Sequence, residues 1–321
     1  MKSIIKLSNY KNKKELFEMW NSEYGNIYPI SQELFERNLQ NAYDDATLVA
    51  LSDGKAVGFI IGKIWQDEYK IEAYDNVGWI SLIFVHSDYR KRGIGSNLLK
   101  QVESEFELLN KSTINIGRDY SDFFPGLPME LKDSLEWFIH RGYDNQGITH
   151  DLVCKNKEKM PIINSNYVFR TATINDKNAI MEFLHNNWPG RWTKEILDYW
   201  NCGGTGRECV ICLDGDKVCA FAKLGYPNTN EQQISNSLTW RKHFNALGGI
   251  GPLGVDKEYR GRHLGYDIVA SAKNILIDAG VSDIIIDWTS LMDFYHKFGF
   301  EEWKSYYYLT KKQKKEIKKW N

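Results

Sequence analysis

Nowhere in this chain is there a run of about 18 apolar residues, so no helix that spans a membrane is expected. Charge of one sign is equally missing: 41 Lys and Arg stand against 42 Asp and Glu, a net of −1. Duplex binding draws on many uncompensated cations, so no nucleic-acid partner is expected. Cysteine is scarce, with five residues at 154, 202, 209, 212 and 219. Cys209-Val-Ile-Cys212 has the spacing of half a zinc site, but no second pair or His cluster completes it. It lies in an alternating apolar run, where positions three apart face opposite sides of a strand. The cysteines read as small buried residues of a reducing compartment, and no metal is expected. The first residues, Met1-Lys-Ser-Ile-Ile-Lys-Leu-Ser8, turn polar too soon for a signal peptide, which makes a cytoplasmic location the expectation. What remains is an ordinary globular composition, 42% hydrophobic and 26% charged, over 321 residues, the length of about two domains.

What the chain does have, it has twice. Val85-His-Ser-Asp-Tyr-Arg-Lys-Arg-Gly-Ile-Gly-Ser96 and Val255-Asp-Lys-Glu-Tyr-Arg-Gly-Arg-His-Leu-Gly-Tyr266 share Val, Tyr, two Arg and a Gly at identical spacing. Each runs from an apolar strand pattern into a helix pattern. Each is followed by an aromatic-rich segment ending in Gly plus an aromatic, Phe138-Ile-His-Arg-Gly-Tyr143 and Tyr295-His-Lys-Phe-Gly-Phe300. Order kept over so much of each half is an internal duplication. A strand that turns tightly into a helix leaves the first helical N–H groups unpaired, at the positive end of the helix dipole. That is an anion site. Gly93 and Gly95 let a phosphate approach the backbone, and Arg90 and Arg92 supply forked cationic donors.

Arg-x-x-Gly-x-Gly at such a junction resembles the coenzyme A motif of the GNAT acetyltransferase superfamily. It is neither the dinucleotide fingerprint, which begins with glycine, nor a Walker loop, which needs Gly-Lys-Ser/Thr. The resemblance covers most of both halves and implies a tandem GNAT protein of α/β (α+β) class, each domain a mixed, mostly antiparallel sheet flanked by helices. It implies acetyl-coenzyme A as cosubstrate. The preceding strand ends, Phe84-Val85 and Gly254-Val255, are then expected to pair with pantetheine amides. The cofactor loops become Arg90, Arg92, Gly93, Ile94, Gly95 and Ser96 in the first half. In the second half they are Arg260, Arg262, His263, Leu264, Gly265 and Tyr266. His263 replaces Gly93: either its Cβ crowds the pyrophosphate, or the ordinary φ expected at a helix start accommodates it.

Periodicity places strands near 2–7, 46–52, 56–65, 77–85 and 113–117, with helices over 11–24, 32–41, 96–110 and 131–141. The second half repeats this with strands at 167–171, 208–213, 217–225, 248–255, 283–288 and 303–310. Its helices fall at 176–187, capped from Thr173, then 266–279 and 290–298. Domains are expected over 1–157 and 167–321, joined by a polar, Pro-containing linker over 158–166. The Lys-rich tail 311–319 reads as a solvated helical end. A tandem chain of this family is expected to be a monomer whose two domains imitate a dimer.

Acetyl transfer to an amine needs a proton acceptor for the amine, a donor for the oxyanion and an acid for the departing thiolate. In the GNAT family that acid is commonly a Tyr on the helix after the fifth strand. Tyr295, four residues before Gly299, stands at that place, whereas the first half has Phe138 four before Gly142. Pro252 inside the strand 248–255 marks an edge or a bulge, and a bulge fits the family's splayed fourth strand; the first half has Ser81-Leu82 there. Asp287 ends the fifth strand and can orient a water, bind an amine, cap the next helix or pair with an Arg. Asp293 lies on the helix of Tyr295. Trp188 and Trp192 either pack or face the acceptor, and the insert 117–128 either closes the first site or docks the halves together. The expectation is an N-acetyltransferase acting on a small-molecule primary amine, with catalysis in the second half. Catalysis in the first half, or an inert acyl-coenzyme A-binding scaffold, are the alternatives.

Overall fold

The computed structural model describes residues 2–155, 157–229 and 236–313, and the chain divides into two compact units. In chain order the first half gives β1 (Lys2–Lys6), α1 (Lys13–Tyr24), α2 (Gln32–Gln40), β2 (Leu48–Ser52), β3 (Lys55–Ile64) and β4 (Val77–Val85). It continues with α3 (Ile94–Leu108), β5 (Thr113–Ile116), β6 (Leu127–Pro128), α4 (Lys132–Ile139) and β7 (Asp144–Cys154). The second half gives β8 (Val168–Thr171), α5 (Lys177–Asn187), α6 (Arg191–Asn201), β9 (Cys209–Asp214), β10 (Lys217–Gly225) and β11 (Leu247–Val255). After these come α7 (Leu264–Asp278), β12 (Asp283–Thr289), α8 (Met292–His296) and β13 (Glu301–Lys312).

The units do not follow the halves of the sequence. The first comprises Met1–Glu68, Glu72–Thr149 and the chain from Ser305; the second comprises Tyr69–Ile71 and His150–Lys304. The sheet of the first unit runs β1-β2-β3-β4-β5-β13, antiparallel except for β4 and β5. That of the second runs β8-β9-β10-β11-β12-β7, antiparallel except for β11 and β12. In each unit the strand beside the fifth comes from the other half's end: Thr310 faces Asn115 in one, and Val153 faces Ile285 in the other.

Period-two alternation explains the layers. In the second unit Ala220, Ala222 and Leu224 of β10 face α7, whose Ile268, Val269, Ala272 and Leu276 are wholly buried. Phe221 of the same strand faces Ile180, Phe183 and Ile196 of α5 and α6. In the first unit α3 lays Leu98, Leu99, Val102 and Phe106 on Ile60, Ile80 and Ile114. Cys209 and Cys212 lie in these two different layers, and the Cys212 thiol meets Cys219 at 3.3 Å. Lys311 and Lys312 of the basic tail end β13, with Lys311 paired to Glu103 at 2.8 Å, so this part is strand and not a helical end. The remainder of the tail, from 314, lies outside the described residues. Thr173 and Asp176 close a capping box, and Asp176 pairs both guanidinium nitrogens of Arg170 at 2.7 and 2.8 Å.

Candidate active site

Each repeated motif forms the loop that its residue types require. A single 3₁₀ turn after the fourth strand is followed by two residues in the left-handed region and then by the long helix. These are Lys91 (φ +58°) and Gly93 (φ +78°) before α3, and Gly261 (φ +79°) and His263 (φ +62°) before α7. The ordinary φ expected for His263 is therefore incorrect. Both copies need the left-handed region at the same two positions, and each places its glycine at a different one. His enters this region more readily than most residues do, at some cost in strain.

Both helix starts are open. Nothing lies within 4 Å of where a Cβ would stand on Gly93, and at Gly265 the nearest atom is Val255 Cγ2 at 4.0 Å. At Gly95 a Cβ would touch Trp137 and Val85 at 3.5 Å. The second loop borders a cavity of 390 Å³ lined by Val255, Arg260, His263, Leu264, Tyr266 and Phe294 among others. Beside the first, Arg92, Gly93 and Ile94 line a cavity of 330 Å³ with Leu51 and Gln101.

The arginines differ. Arg90 donates to the Val85 carbonyl at 2.9 Å and to Tyr24 Oη at 3.0 Å, and it is ion-paired with Glu23, so its fork is already filled. Arg92 lies 5.3 Å over the Tyr89 ring. Arg262 lies 4.8 Å over the Tyr259 ring and donates to Tyr167 Oη at 3.0 Å. The Arg260 side chain is exposed and forms no hydrogen bond or ion pair among the described residues. Ser96 accepts from Arg141 at 2.6 Å, whereas its counterpart Tyr266 stacks on Phe298 at 4.7 Å. Phe84 is buried against Trp20, Tyr24 and Phe59. A Cβ on Gly254 would meet the Trp188 indole at 2.3 Å. Trp188 also packs on Phe183, Phe221 and Trp192, so this pair contributes to packing.

Between the loops and the rest of each sheet, the fourth and fifth strands part. In the first unit β4 and β5 pair as far as Ile80 and Ile116, and Ser81 is the extra residue of a bulge against β3. In the second unit β11 and β12 pair only as far as Gly249 and Ile285. There Gly251-Pro252, joined by a cis peptide, form the bulge expected from Pro252. Asp287 projects toward this bulge, its Oδ1 lying 3.3 Å from where a Cβ on Gly251 would stand. On α8, Tyr295 is only 5% exposed, its ring against Phe294 and Phe300. Burial, and next the charge of Asp287, push its hydroxyl up to about 12. Asp293 on the same helix is exposed.

β12 carries a second irregularity. Ile286 faces Leu152 and Thr289 faces His150, so Asp287 and Trp288 together oppose the single residue Asp151. Trp288 has φ +48°, its N–H donates to Asp151 Oδ1 at 3.0 Å, and Arg191 lies 4.3 Å over its ring. Asp151 was not anticipated from the sequence; its one signal is a carboxylate directly before the apolar run Leu152-Val-Cys154.

The first unit is built differently at the same places. Phe138, 1% exposed, stands for Tyr295, and Gly117 follows β5 where Asp287 follows Ile286. The insert after β5 folds into this unit, with Phe123 and Phe124 buried against Phe35 and Trp20. Its Asp119 binds Lys63 Nζ at 2.7 Å, and the Ser81 hydroxyl donates to it at 2.7 Å. Lys63 also donates to Asn38 and to the Ser121 carbonyl. The bulge of the first unit thus faces a buried, internally paired ammonium.

The profile of the acetyltransferase (GNAT) family matches residues 13–118 and 177–300, which together are more than half of the chain. This chain belongs to that family, an acyltransferase with two GNAT regions. Its fold is shared with the GCN5-related glucosamine N-acetyltransferase region of a fungal multi-domain GH3 β-N-acetylglucosaminidase (TM-score 0.85, 22% identity, 97% of this chain and 38% of that one). It therefore spans less than half of that fungal protein. It is also similar to a GCN5-related N-acetyltransferase from Sphaerobacter thermophilus (TM-score 0.67, 14% identity, 97% and 95% covered). A tandem GNAT protein of the clavulanic acid pathway is a further neighbour (TM-score 0.65, 13% identity, 97% and 98% covered). No curated protein matches the chain.

Proposed function

We propose that the second unit transfers an acetyl group from acetyl-coenzyme A to the primary amine of a small molecule. The observation that carries this is Tyr295, 95% withdrawn from solvent and kept protonated up to about 12, in the field of Asp287 where β11 and β12 part. Coenzyme A fits the loops: the positions above Gly93 and Gly265 are open, and the first amides of α3 and α7 have no carbonyl one turn before them. In the second unit Leu264, Gly265 and the unpaired Arg260 are suited to hold its pyrophosphate, with Val255 alongside the pantetheine. When bound, the coenzyme supplies the acetyl thioester.

Asp287 takes a proton from the incoming ammonium, directly or through a water, so that nitrogen can form the new C–N bond. Tyr295 gives its hydroxyl proton to sulfur as the C–S bond breaks. As nitrogen becomes the amide it sheds its second proton, which solvent carries to the Tyr295 oxygen, and Asp287 releases its own proton to solvent. The first unit lacks both groups, having Phe138 and Gly117, which supports a coenzyme-binding role without transfer. For the acceptor we favour glucosamine, supported by the fungal region of the same fold that is described as acting on it.

The test is release of coenzyme A thiol with glucosamine as acceptor, for the wild type, Tyr295→Phe and Asp287→Asn. Tyr295→Phe is expected to lower kcat by about 10²-fold or more with acetyl-coenzyme A binding unchanged. Undiminished turnover in that variant would overturn the assignment to the second unit. Turnover with polyamines but not with glucosamine would overturn the acceptor.

A further inference from the structure

Resting on that reading of the second unit, we infer that Asp151, contributed by the last strand of the first half of the sequence, is a positioning residue for Asp287. Two residues of β12, Asp287 and Trp288, are bulged against this single position of β7. A bulge re-aims the side chains it carries, and one that holds a non-glycine residue at φ +48° needs an outside partner to persist. Asp151 is that partner. Its Oδ1 accepts the Trp288 N–H at 3.0 Å, directly after Asp287 in the chain. Its Oδ2 accepts the indole N–H of Trp240 at 2.9 Å, which fixes the carboxylate from the other side. With Asp151 2% exposed and Trp240 1% exposed, both bonds are shielded from water.

The duplication provides an internal comparison. Ile114 faces Lys311 and Asn115 faces Thr310 in the first unit; Ile284 faces Cys154 and Ile285 faces Val153 in the second. Counting back along the exchanged strands brings Tyr308 and Asp151 to the same register position. In the first unit, which has no carboxylate at Gly117 to aim, the left-handed Arg118 (φ +64°) simply lies 3.9 Å over the Tyr308 ring. Its N–H goes to the Phe124 carbonyl of the insert at 3.2 Å. The second unit has no such insert between β12 and α8, and Asp151 supplies the acceptor instead. A carboxylate thus stands at this register position only in the unit where the next strand carries Asp287.

Steady-state kinetics of the full chain with acetyl-coenzyme A and glucosamine test this, using Asp151→Ala, Trp240→Phe, Asp287→Ala and the double variant Asp151→Ala/Asp287→Ala. Asp151→Ala is expected to lower kcat on the order of 10–100-fold with little change in KM for acetyl-coenzyme A. Trp240→Phe, which removes the orienting bond and one fused ring but leaves the Trp288 N–H acceptor in place, is expected to lose less than about threefold. In the Asp287→Ala background, removal of Asp151 is expected to cost little more, since the two act as one unit. Asp151→Asn, which keeps the Oδ1 acceptor, is expected to restore most of the lost kcat. Equal losses in Asp151→Ala and Trp240→Phe, or full additivity with Asp287→Ala, would overturn the inference and leave Asp151 a packing residue. Should Asp151→Ala not fold, Asp151→Leu/Trp240→Phe fills the same volume without an unmatched indole and carries the same comparison. Tyr295→Phe is measured alongside. If it retains full turnover, the reading of the whole site falls and this inference with it; if it is impaired while Asp151→Ala is not, only the inference falls.

Discussion

Replacing Asp119 by alanine strands an ammonium in the interior of the first unit. Lys63 is 3% exposed and Asp119 2%, and their 2.7 Å contact is reinforced by the Ser81 hydroxyl at 2.7 Å and the Ser121 N–H at 3.1 Å, both donated to the carboxylate. After truncation Lys63 keeps Asn38 and the Ser121 carbonyl as acceptors, both neutral, and the nearby Asp122 carboxylate compensates its charge without a hydrogen bond. Breaking a buried pair from one side costs about 3–5 kcal/mol, a large share of the roughly 5–15 kcal/mol that holds a domain folded. For a unit of this size that is on the order of 10 °C in Tm. Removing both charges, as in Lys63→Met/Asp119→Leu, is expected to recover most of the loss, because the desolvation cost of each ion disappears with it. The dependence on pH has a definite sign. Burial, opposed by Asp119, already holds the Lys63 ammonium below its usual 10.5. A lowered folded value means that the native state gains stability as pH rises toward 10.5. Loss of Asp119 lowers it further, so the deficit of Asp119→Ala is expected to shrink between pH 7 and 10. Urea unfolding followed by tryptophan fluorescence reads the wild type and both variants. A single-variant loss under about 1 kcal/mol, or a double variant no better than the single, would refute the account of this cluster.

Two further outcomes follow from backbone and cap geometry. His263→Gly removes a side chain from φ +62°, which relieves about 1–2 kcal/mol of left-handed strain against about 0.5–1 kcal/mol of added unfolded-chain entropy. A small net gain in denaturant midpoint is expected, and a loss would show that the imidazole makes a contact worth more than the strain. The Arg170 guanidinium, with the Thr173 N–H and hydroxyl, holds the Asp176 carboxyl well below 3.8. The stability it lends is therefore present above pH 3.8 and fades as pH falls below that value. Asp176→Ala is expected to cost about 1 kcal/mol at pH 7, as loss of a helix cap does, and its difference from wild type is expected to narrow below pH 4 in thermal melts.

The duplicated loops were legible because a phosphate cradle is local. Strand end, turn, glycine and helix start are adjacent in the chain, and a repeat doubles the signal. The Pro252 bulge was legible for the same reason, since proline cannot serve a strand ladder wherever the strand lies. The φ of His263 was misjudged because an isolated helix start tolerates ordinary φ; alignment with Gly93 contained the warning. Lys63 and Asp119 were invisible as a pair, being 56 residues apart and matched only once the insert folds back. Asp151 was hidden by the exchange of final strands. Periodicity marks residues 303–310 as a strand and leaves 150–154 unassigned, and a strand's hydrogen bonds carry no record of which sheet will receive it.

That exchange sets an order of events during synthesis. Every strand in the sheet of the second unit is complete by Thr289, whereas the first unit waits for the part of β13 from Ser305 onward. The usual sequence, in which the N-terminal domain folds first on the ribosome, is therefore inverted here. The half translated first is the half completed last, and through most of translation β5 is an unpaired edge. A chain interrupted at Lys304 would carry a finished second unit and a first one with β5 open at its edge, so the short segment Ser305–Lys312 guards the solubility of the unit it joins.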